Sequence, residues 1–354
     1  MKNMVMFGYN MEMGGAERAM INVINVLKDR YNIDLILIKA DGCLMKDIPD
    51  GICVKQIKKN IVQYIFFRFV PLCRKWTIRK MTSKNYDAAV AFMEGRAATW
   101  LVDMNRACTK IGWIHNDVKK FNIGIKEKEI RKTYSQLDKI AIVSKQSKES
   151  FCEKYEIDKN KVEIIYNLID EETIKQKAEL EHPKKERFTF VNVAKMRPQK
   201  RHDRLLNAIA VLSKEGYDFQ VWLIGDGPLE EENKKLAMEL GVLDKVQFMG
   251  LKENPFPYVK AADFFVMASD HEGYPLSLLE SLLLKTPVIT TDVSGAKEIL
   301  KNDQYGIICD VSLDGLVNAM RDVMDKKYSS DIETNLLNYC GINEEIEKKI
   351  LELL

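Results

Sequence analysis

The chain has 354 residues, of which 46% are hydrophobic and 30% are charged, and its formal net charge is +2. This length fits two domains better than one hydrophobic core, and the composition excludes a disordered or fibrous protein. Its first residues contain no sustained apolar segment, and no run of about 18 uncharged apolar residues occurs anywhere. The sequence therefore predicts a cytoplasmic protein without a membrane-spanning helix.

Short apolar runs alternate with longer amphipathic stretches along the whole chain. The first half contains the runs MVMFGY, IDLILI, AAVAFM, KIGWIH and KIAIVS. The second half contains FTFVNV, FQVWLIG, KVQFMG, DFFVMAS, TPVITT and YGIICD. Apolar strands separated by helices are typical of parallel sheets covered on both faces, so the predicted fold class is α/β.

The two halves repeat one order of strand, loop, helix and strand. In the first helix the apolar face is Met20, Val23, Ile24 and Leu27, and in the second it is Leu205, Leu206, Ile209 and Leu212. The repetition predicts two Rossmann-like domains that face each other across a cleft, with a ligand at the carboxyl ends of the strands. A polar, proline-containing segment near residue 183 separates an N-terminal domain, 1–180, from a C-terminal domain, 184–335. A final helix, 336–354, can pack back on the N-terminal domain.

Residues 51–84 are basic and aromatic. No acidic residue occurs between Gly51 and Tyr86, whereas the basic residues are Lys55, Lys58, Lys59, Arg68, Arg74, Lys75, Arg79, Lys80 and Lys84. Two interpretations stay open: the segment binds an anionic membrane surface through exposed aromatic residues, or it forms a helical hairpin packed on the first domain. No nucleic-acid-binding motif accompanies the charge, so no nucleic-acid partner is predicted.

The stretch SDHEGYPLSLLE, residues 269–280, predicts a ligand site. Pro275 fits the first position of a helix, whose free amides over residues 273–277 would bind an anion at the edge of the sheet. Glu272 precedes this helix, and Glu280 lies one turn inside it with its side chain leaning back toward the start. Carboxylates at these positions suit the hydroxyl groups of a ribose or a sugar.

A second loop supplies positive charge. Lys195 and Lys200 follow the first strand of the second domain in NVAKMRPQKRHDR. Two ammonium groups can replace a divalent ion on a departing diphosphate. Because the sequence has no D-x-D-like metal site, we predict neither a metal ion nor another cofactor.

The spacing of Glu272 and Glu280 within EGYPLSLLE resembles that of the retaining family 4 of nucleotide-sugar glycosyltransferases, which have the two-domain GT-B fold. The resemblance covers most of the chain: MEMGGAERAM is similar to the family's N-terminal glycine loop, VEIIYNLID to its pre-linker strand, and LIGDGPLEEE and VQFMG to its nucleotide-side segments. The sequence departs from the family pattern in two places. Ala194-Lys195-Met196 replaces the usual G-R-L, and Leu168 replaces a glycine. A lysine binds phosphate as a point charge and not bidentately, so this departure affects donor affinity.

The resemblance assigns the donor to the C-terminal domain and the acceptor to the N-terminal domain. It implies that Glu280 binds the ribose, Glu272 the donor sugar, and Lys195 and Lys200 the diphosphate. It further implies that Gly273, Tyr274, Pro275 and Leu276 line the sugar and phosphates, and that Gly225 and Met249 flank the base. Gly14 and Gly15 would let the first domain's loop approach the phosphates, although a tight turn would also explain them.

His115 completes the implied catalytic set with Glu272, Lys195 and Lys200. It lies at the end of a strand of the first domain, where the family places a histidine near the transferred sugar. Such a histidine can hydrogen-bond the sugar and add positive potential near the reacting carbon. A histidine at this position can instead be a satisfied structural residue.

The implied reaction is metal-independent transfer of a hexose or N-acetylhexosamine, with retention, from a UDP-sugar to a lipid-linked glycan. The enzyme would associate peripherally with the inner face of the cell membrane and act in surface polysaccharide or glycolipid synthesis of the bacterial type. A UDP-sugar epimerase of the same fold and a non-catalytic accessory paralogue remain alternatives. A nicotinamide-dependent oxidoreductase would need a G-x-G-x-x-G motif, which neither GYNMEMGGAE nor AKMRPQKR supplies.

Overall fold

The structure is a computed structural model that describes residues 1–58, 60–104, 108–119, 123–327 and 340–354. It divides into two compact units, one of Met1–Leu168 with Asn343–Leu354 and the other of Ile169–Ile342. Lys59 and the boundary predicted at residues 335 and 336 lie outside the described residues. None of the described helices is long and apolar enough to cross a bilayer.

A parallel sheet forms the centre of the first unit. Its strands are β1 (Lys2–Gly8), β2 (Tyr31–Leu37), β3 (Cys53–Gln56), β4 (Ala88–Ala91), β5 (Thr109–Ile114), β6 (Lys139–Ile142) and β7 (Val162–Ile164). The strand order is β3-β2-β1-β4-β5-β6-β7, and every pairing is parallel. The helices are α1 (Gly15–Leu27), α2 (Ile61–Phe69), α3 (Pro71–Met81), α4 (Arg96–Asp103), α5 (Glu127–Ser135) and α6 (Lys145–Tyr155). The apolar face predicted for α1 is buried.

The second unit has the same architecture. Its strands are β8 (Phe188–Val193), β9 (Phe219–Ile224), β10 (Val246–Phe248), β11 (Phe264–Met267), β12 (Val288–Thr291) and β13 (Gly306–Cys309). They pair in parallel in the order β10-β9-β8-β11-β12-β13. Its helices are α7 (Glu171–Ala178), α8 (His202–Lys214), α9 (Glu230–Glu239), α10 (Phe256–Ala261), α11 (Leu276–Leu283), α12 (Ala296–Ile299) and α13 (Leu313–Met324). Each apolar run predicted as a strand contains one, which confirms the α/β fold class.

The division between the units falls before the linker predicted near residue 183. Helix α7 packs on α10, and Asn254 Nδ2 donates a hydrogen bond of 2.8 Å to the carbonyl of Lys177. These contacts tie the residues just before the polar segment to the second unit. The last described helix, α14 (Cys340–Leu353), belongs to the first unit from Asn343 onward, and Lys139 Nζ donates to the carbonyl of Glu352 at 3.0 Å.

The strand order determines where the loops with the candidate site residues lie. In the first sheet the order reverses between β1 and β4, and in the second it reverses between β8 and β11. Loops that leave the carboxyl ends of two such strands diverge and open a crevice, which is where open parallel sheets bind ligands. Lys195 and Lys200 follow β8, and Glu272 follows β11. The second unit therefore brings the loops that carry these three residues to one crevice.

Candidate active site

Lys200 and Glu272 bind each other directly. Lys200 Nζ lies 2.6 Å from Glu272 Oε1, and the hydroxyl of Ser269 donates a second hydrogen bond of 2.6 Å to the same oxygen. Only 22% of the Lys200 side chain and 12% of the Glu272 side chain are exposed, so solvent screens this pair weakly. The backbone amide of Asp270 also donates to the carbonyl of Gln199, which joins the two loops. A cation and a carboxylate are thus fixed side by side at the crevice.

An arginine pair holds the two loops together. The guanidinium of Arg201 donates to Asp203 and to both carboxylate oxygens of Asp270, at 3.1 and 3.0 Å. Buried Arg204 donates to Asp270 at 2.5 Å and to the carbonyl of Ala268 at 2.6 Å. Burial raises the pKa of Asp270, but hydrogen bonds from Arg204 and Arg201 outweigh this and hold it below its ordinary value. The carboxylate of Asp270 therefore stays charged and links the loop after β8 to the loop after β11.

Arg201 adopts a left-handed conformation, with φ of 50°. This conformation costs a non-glycine residue roughly 1 to 2 kcal/mol. It occurs at the residue directly after Lys200, between a short 3-10 turn, Pro198–Lys200, and helix α8. The ion pairs of Arg201 with Asp203 and Asp270 offset part of this cost.

The start of helix α11 differs by one residue from the prediction. Pro275 has an extended conformation and caps the helix, which begins at Leu276. The predicted lining residues Gly273, Tyr274, Pro275 and Leu276 are all buried. Gly295, with φ of 78°, packs so closely that a Cβ there would lie 2.8 Å from the carbonyl oxygen of Gly273. The loop after β12 therefore supports the segment before the helix, and Glu280 lies half-buried on α11.

Gly225 has a local structural reason to be glycine. Its φ is 139°, and a Cβ would lie 2.1 Å from the carbonyl oxygen of Ala194, next to Lys195. The amide of Gly225 donates to the carbonyl of Gly250. The amide of Met249, the residue before Gly250, donates to the carbonyl of Leu223. These contacts hold the loops after β8, β9 and β10 together. Contact of Gly225 and Met249 with a base stays a prediction.

Gly14 and Gly15 need no turn-specific backbone. Gly14 has an extended conformation, with φ of −165°, that any residue can adopt, and it precedes α1. A Cβ on Gly14 would meet only the flexible side chain of Glu17, and a Cβ on Gly15 would meet nothing within 4 Å. The tight-turn interpretation is therefore wrong for both residues. Close approach of a ligand to this loop stays a prediction.

His115 is buried in the first unit, directly after β5. Its ring lies 4.8 Å from the ring of Phe92 and stacks parallel to Trp113 at 6.2 Å between centroids. Neither ring nitrogen makes a hydrogen bond of ordinary geometry to another described residue, although the backbone of Phe92 lies close enough to the ring to favour its protonated form. Burial lowers the pKa of His115, and the carboxylate of Glu94 only partly offsets this. The imidazole therefore favours its neutral form, which can hydrogen-bond a ligand, and its role near a transferred sugar stays a prediction.

Glu94 is a site residue that the sequence-based reasoning missed. It follows β4 at the point where the sheet order reverses, and its carboxylate accepts hydrogen bonds from the amide of His115, at 3.2 Å, and from the side chain of Asn116. The hydroxyl of Tyr9 donates to its carbonyl at 2.7 Å. Burial raises the pKa of Tyr9 to about 12, so this hydroxyl stays protonated. The sequence signal that could have indicated Glu94 is an acidic residue directly after the apolar run AAVAFM.

Among the described residues, no group of three or more histidine, cysteine, aspartate or glutamate side chains could hold a metal ion. The loops of the crevice in the second unit carry the paired charges of Lys200 and Glu272 and those of Arg201, Arg204 and Asp270. Metal independence of the reaction stays a prediction.

Comparison with known proteins gives concordant matches. Residues 172–342 match the family model described as glycosyl transferases group 1. Over 328 residues the chain is 29% identical to the N-acetylgalactosamine-N,N'-diacetylbacillosaminyl-diphospho-undecaprenol 4-alpha-N-acetylgalactosaminyltransferase of Campylobacter jejuni, covering 88% of this chain and 87% of that protein. It is 25% identical to the O-antigen biosynthesis glycosyltransferase WbnH of Escherichia coli, covering 86% of this chain and 85% of that protein.

The fold is that of known glycosyltransferase structures. The structure of Alr3699/HepE from Anabaena, in complex with UDP and glucose, superimposes with a TM-score of 0.76. The match covers 99% of this chain and 100% of that one, at 16% identity. This similarity confirms the predicted GT-B fold. The cleft between the domains stays a prediction.

Proposed function

Residues 172–342 form a glycosyl transferases group 1 domain, and from this premise we propose that the protein is a retaining, metal-independent glycosyltransferase. It transfers a hexose or N-acetylhexosamine from a UDP-sugar to a lipid-linked glycan in the synthesis of a surface polysaccharide or glycolipid. The observation that carries the proposal is the pair of Lys200 and Glu272, at 2.6 Å, in the crevice between β8 and β11. A diphosphate needs the cation, and a sugar hydroxyl needs the carboxylate.

The names of similar proteins support the donor and the acceptor. The relative from Campylobacter jejuni is named for transfer of N-acetylgalactosamine to a saccharide on diphospho-undecaprenol. The structure from Anabaena contains UDP and glucose. The relative from Escherichia coli is named for O-antigen biosynthesis. Together these names support a UDP-sugar as the donor and a lipid-linked glycan as the acceptor. Both substrates fit a site that offers a cation to a diphosphate and a carboxylate to a sugar.

The proposed reaction proceeds on one face of the donor sugar. The bond between the anomeric carbon and the β-phosphate oxygen breaks, and its electron pair leaves with UDP. The acceptor hydroxyl attacks from the same face, and its proton passes to the departing phosphate oxygen. Lys195, Lys200 and the amides at the start of α11 stabilise the charge that develops on the diphosphate. Glu272 accepts hydrogen bonds from the sugar, Glu280 from the ribose, and neutral His115 hydrogen-bonds the transferred sugar.

We also propose that the protein associates peripherally with an anionic membrane surface through α2 and α3. The two helices are anchored by buried Phe67 and Ile78 and by an ion pair of 2.5 Å between Arg74 and Asp103. The hairpin packing anticipated from the sequence is therefore present. The same helices leave seven large apolar side chains exposed: Ile61, Val62, Ile65, Phe66, Phe69, Leu72 and Trp76. Such residues beside the lysines and arginines of the same helices suit the interface of an anionic bilayer.

The proposal is tested by measuring UDP release from a panel of UDP-sugars, with and without a polyprenyl-diphosphate-linked glycan. We expect release from one sugar that rises with the acceptor and collapses in Glu272→Ala and Lys200→Ala. Release that is independent of both residues would contradict the assigned site. Binding of UDP without release from any sugar would instead favour a non-catalytic accessory protein.

A further inference from the structure

Three basic residues lie close together between β8 and the first turn of α8. They are Lys200, Arg201 and Arg204, in the sequence KRHDR. Lysine and arginine both bind phosphate oxygens, so any of the three could contact a diphosphate in the crevice. The structure divides them, because Lys200 is bound to one carboxylate oxygen whereas each arginine is held by several partners.

The guanidinium of Arg201 is occupied by two carboxylates of the protein. Its Nε and Nη2 donate to Asp203, both at 2.9 Å. Its Nη1 donates to the two oxygens of Asp270, at 3.1 and 3.0 Å. All three nitrogens of Arg201 therefore already donate to carboxylates, and its charge is balanced within the second unit.

Arg204 is the buried partner of Asp270. Only 6% of its side chain is exposed, so it offers little surface to a ligand that enters from solvent. Its Nη2 donates to Asp270 at 2.5 Å, and its Nη1 donates to the carbonyl of Ala268 at 2.6 Å. Removing one partner of a buried ion pair is costly, because the other charge stays buried without compensation. Arg204 therefore fixes the loop after β11 to α8.

Lys200 is the cation of this group that can exchange its partner. Its Nζ is bound to Glu272 Oε1 at 2.6 Å, and the hydroxyl of Ser269 can keep that oxygen bound when the lysine leaves. When Lys200 turns from Glu272 to a diphosphate, one link between the two loops is lost. The links through Asp270 remain: its carboxylate binds both arginines, and its amide donates to the carbonyl of Gln199 at 2.8 Å.

We propose that Asp270 is a positioning residue of the donor site: held by Arg201 and Arg204, it keeps Lys200 in place to bind the donor diphosphate. The three residues Arg201, Arg204 and Asp270 are named the Asp270 clamp. Arg201 directly follows Lys200, so the ion pairs of the clamp fix the backbone from which Lys200 projects. The inference rests on the proposed function, and it assigns Lys200 to the ligand and both arginines to the framework of the site.

The experiment compares two variants that each remove one carboxylate from an ion pair of α8. Asp270→Asn alters the pairs at the start of the helix. Glu215→Gln alters the pair at its other end, where Arg321 Nε and Nη2 donate to Glu215 at 2.9 and 2.7 Å. Both substitutions are also made in Lys200→Met. Titration calorimetry of the full-length proteins measures UDP affinity at a temperature below the onset of unfolding, so each protein is folded when it is tested.

We expect Asp270→Asn to lower UDP affinity about tenfold and Glu215→Gln to leave it unchanged. In Lys200→Met, adding Asp270→Asn should cause no further loss, because the clamp then has no cation to position. A loss of equal size with and without Lys200 would show that Asp270 acts independently of the lysine and would overturn the proposal. Unchanged UDP affinity in Asp270→Asn would overturn it as well.

An increase in UDP affinity would be the opposite of the expected result. Asp270→Asn removes a negative charge that neutralises Arg201 and Arg204. If either arginine bound the diphosphate itself, this substitution would release it and strengthen the binding of UDP. The direction of the change therefore distinguishes an arginine that binds the ligand from an arginine that holds the framework.

Hydrogen exchange without nucleotide separates the clamp from the proposed function. The amide of Lys200 donates to the carbonyl of Arg197, and the amide of Leu205 donates to the carbonyl of Arg201. We expect both amides to exchange faster in Asp270→Asn than in the wild type or Glu215→Gln, and unchanged exchange would refute the clamp. A wild type that binds no UDP and transfers no sugar would refute the proposed function, while the exchange rates would still decide on the clamp. Sugar transfer by Asp270→Asn at the wild-type kcat and donor KM would support the function and refute the positioning role.

Discussion

Lys200 Nζ and Glu272 Oε1 lie 2.6 Å apart at the carboxyl edge of the second sheet. The residue expected to hold the diphosphate is therefore bound to the residue expected to hold the sugar. A phosphate that enters this crevice must compete with a carboxylate for Lys200. The buried hydroxyl of Ser269, which donates to the same oxygen, can hold Glu272 in place during that exchange.

We expect Glu272→Gln and Lys200→Met to affect the binding of UDP in opposite ways. The amide no longer competes for Lys200, so Glu272→Gln should leave UDP affinity unchanged or raise it a few-fold, while transfer from the UDP-sugar collapses. Lys200→Met should lower UDP affinity by about ten- to a hundredfold, the usual effect of losing a charged hydrogen bond. Titration calorimetry with UDP measures both. Equal weakening in the two variants would show that Glu272 helps to hold UDP itself.

Two substitutions of Arg201 distinguish the cost of its left-handed backbone from the contribution of its ion pairs. Arg201→Ala loses the ion pairs to Asp203 and Asp270 and keeps the strain, whereas Arg201→Gly loses the pairs but adopts φ of 50° at little cost. We expect the glycine variant to be more stable than the alanine variant by about 1 kcal/mol in denaturant unfolding. A glycine variant that is less stable than the alanine variant would contradict the strain assigned here.

Gly15→Ala tests whether a ligand approaches the loop before α1, and Gly225→Ala tests whether close backbone packing requires a glycine. A Cβ on Gly15 meets nothing within 4 Å, and alanine favours a helix, so Gly15→Ala should keep or raise the melting temperature while lowering activity. Gly225→Ala places a Cβ 2.1 Å from the carbonyl oxygen of Ala194 and should lower stability by several kcal/mol. Thermal unfolding and UDP release measure the two effects. Full activity in a stable Gly15→Ala protein would refute the approach of a ligand to that loop.

Buried His202 makes stability depend on pH. Burial, and secondarily the charge of Lys200, lower the pKa of His202 to about 4, whereas an unfolded histidine titrates near pH 6.5. Below about pH 6.5 the unfolded chain binds a proton that the folded chain does not. The stability contribution of His202 is therefore complete above about pH 6.5 and is lost as the pH falls to about 4, by about 3 kcal/mol.

The matched variants are His202→Asn and His182→Asn, of which the second alters an exposed histidine. Between pH 6.5 and 4, we expect the unfolding free energy of His202→Asn to decrease less than that of the wild type. The decrease in His182→Asn should equal that of the wild type. Parallel pH profiles for the wild type and His202→Asn would contradict the role of burial. Denaturant unfolding at a series of pH values supplies the comparison.

Periodicity was sufficient for eleven of the thirteen described strands, whereas β7 was anticipated only from the family resemblance. Buried parallel strands are nearly continuous apolar runs, and parallel topology then brings the loops with Lys200 and Glu272 to one edge. The edge strand β3 was missed because Cys53–Gln56 is short and partly exposed, with no apolar run to mark it. The start of α11 was misplaced by one residue because proline suits both the cap and the first helical position.

Contacts between side chains far apart in sequence could not be predicted. Nothing local to Lys200 indicates that it meets Glu272, 72 positions away, or that Asp270 joins Arg201 and Arg204. The lowered pKa of His115 follows from its burial against Phe92 and Trp113, which only the packing reveals. Glu94 was missed because an acidic residue after a strand has many ordinary roles, and its hydrogen bond to the His115 amide is a tertiary contact.

The most direct test of the proposed function is to follow a labelled sugar from a panel of UDP-sugars onto a polyprenyl-diphosphate-linked glycan. Chromatography separates the donor, UDP, free sugar and lipid product. We expect label from one donor to appear in the lipid fraction with the wild type, and to be absent with Glu272→Ala and Lys200→Ala. Label that remains in UDP-sugar as an epimer, without any acceptor, would contradict glycosyl transfer and indicate an epimerase.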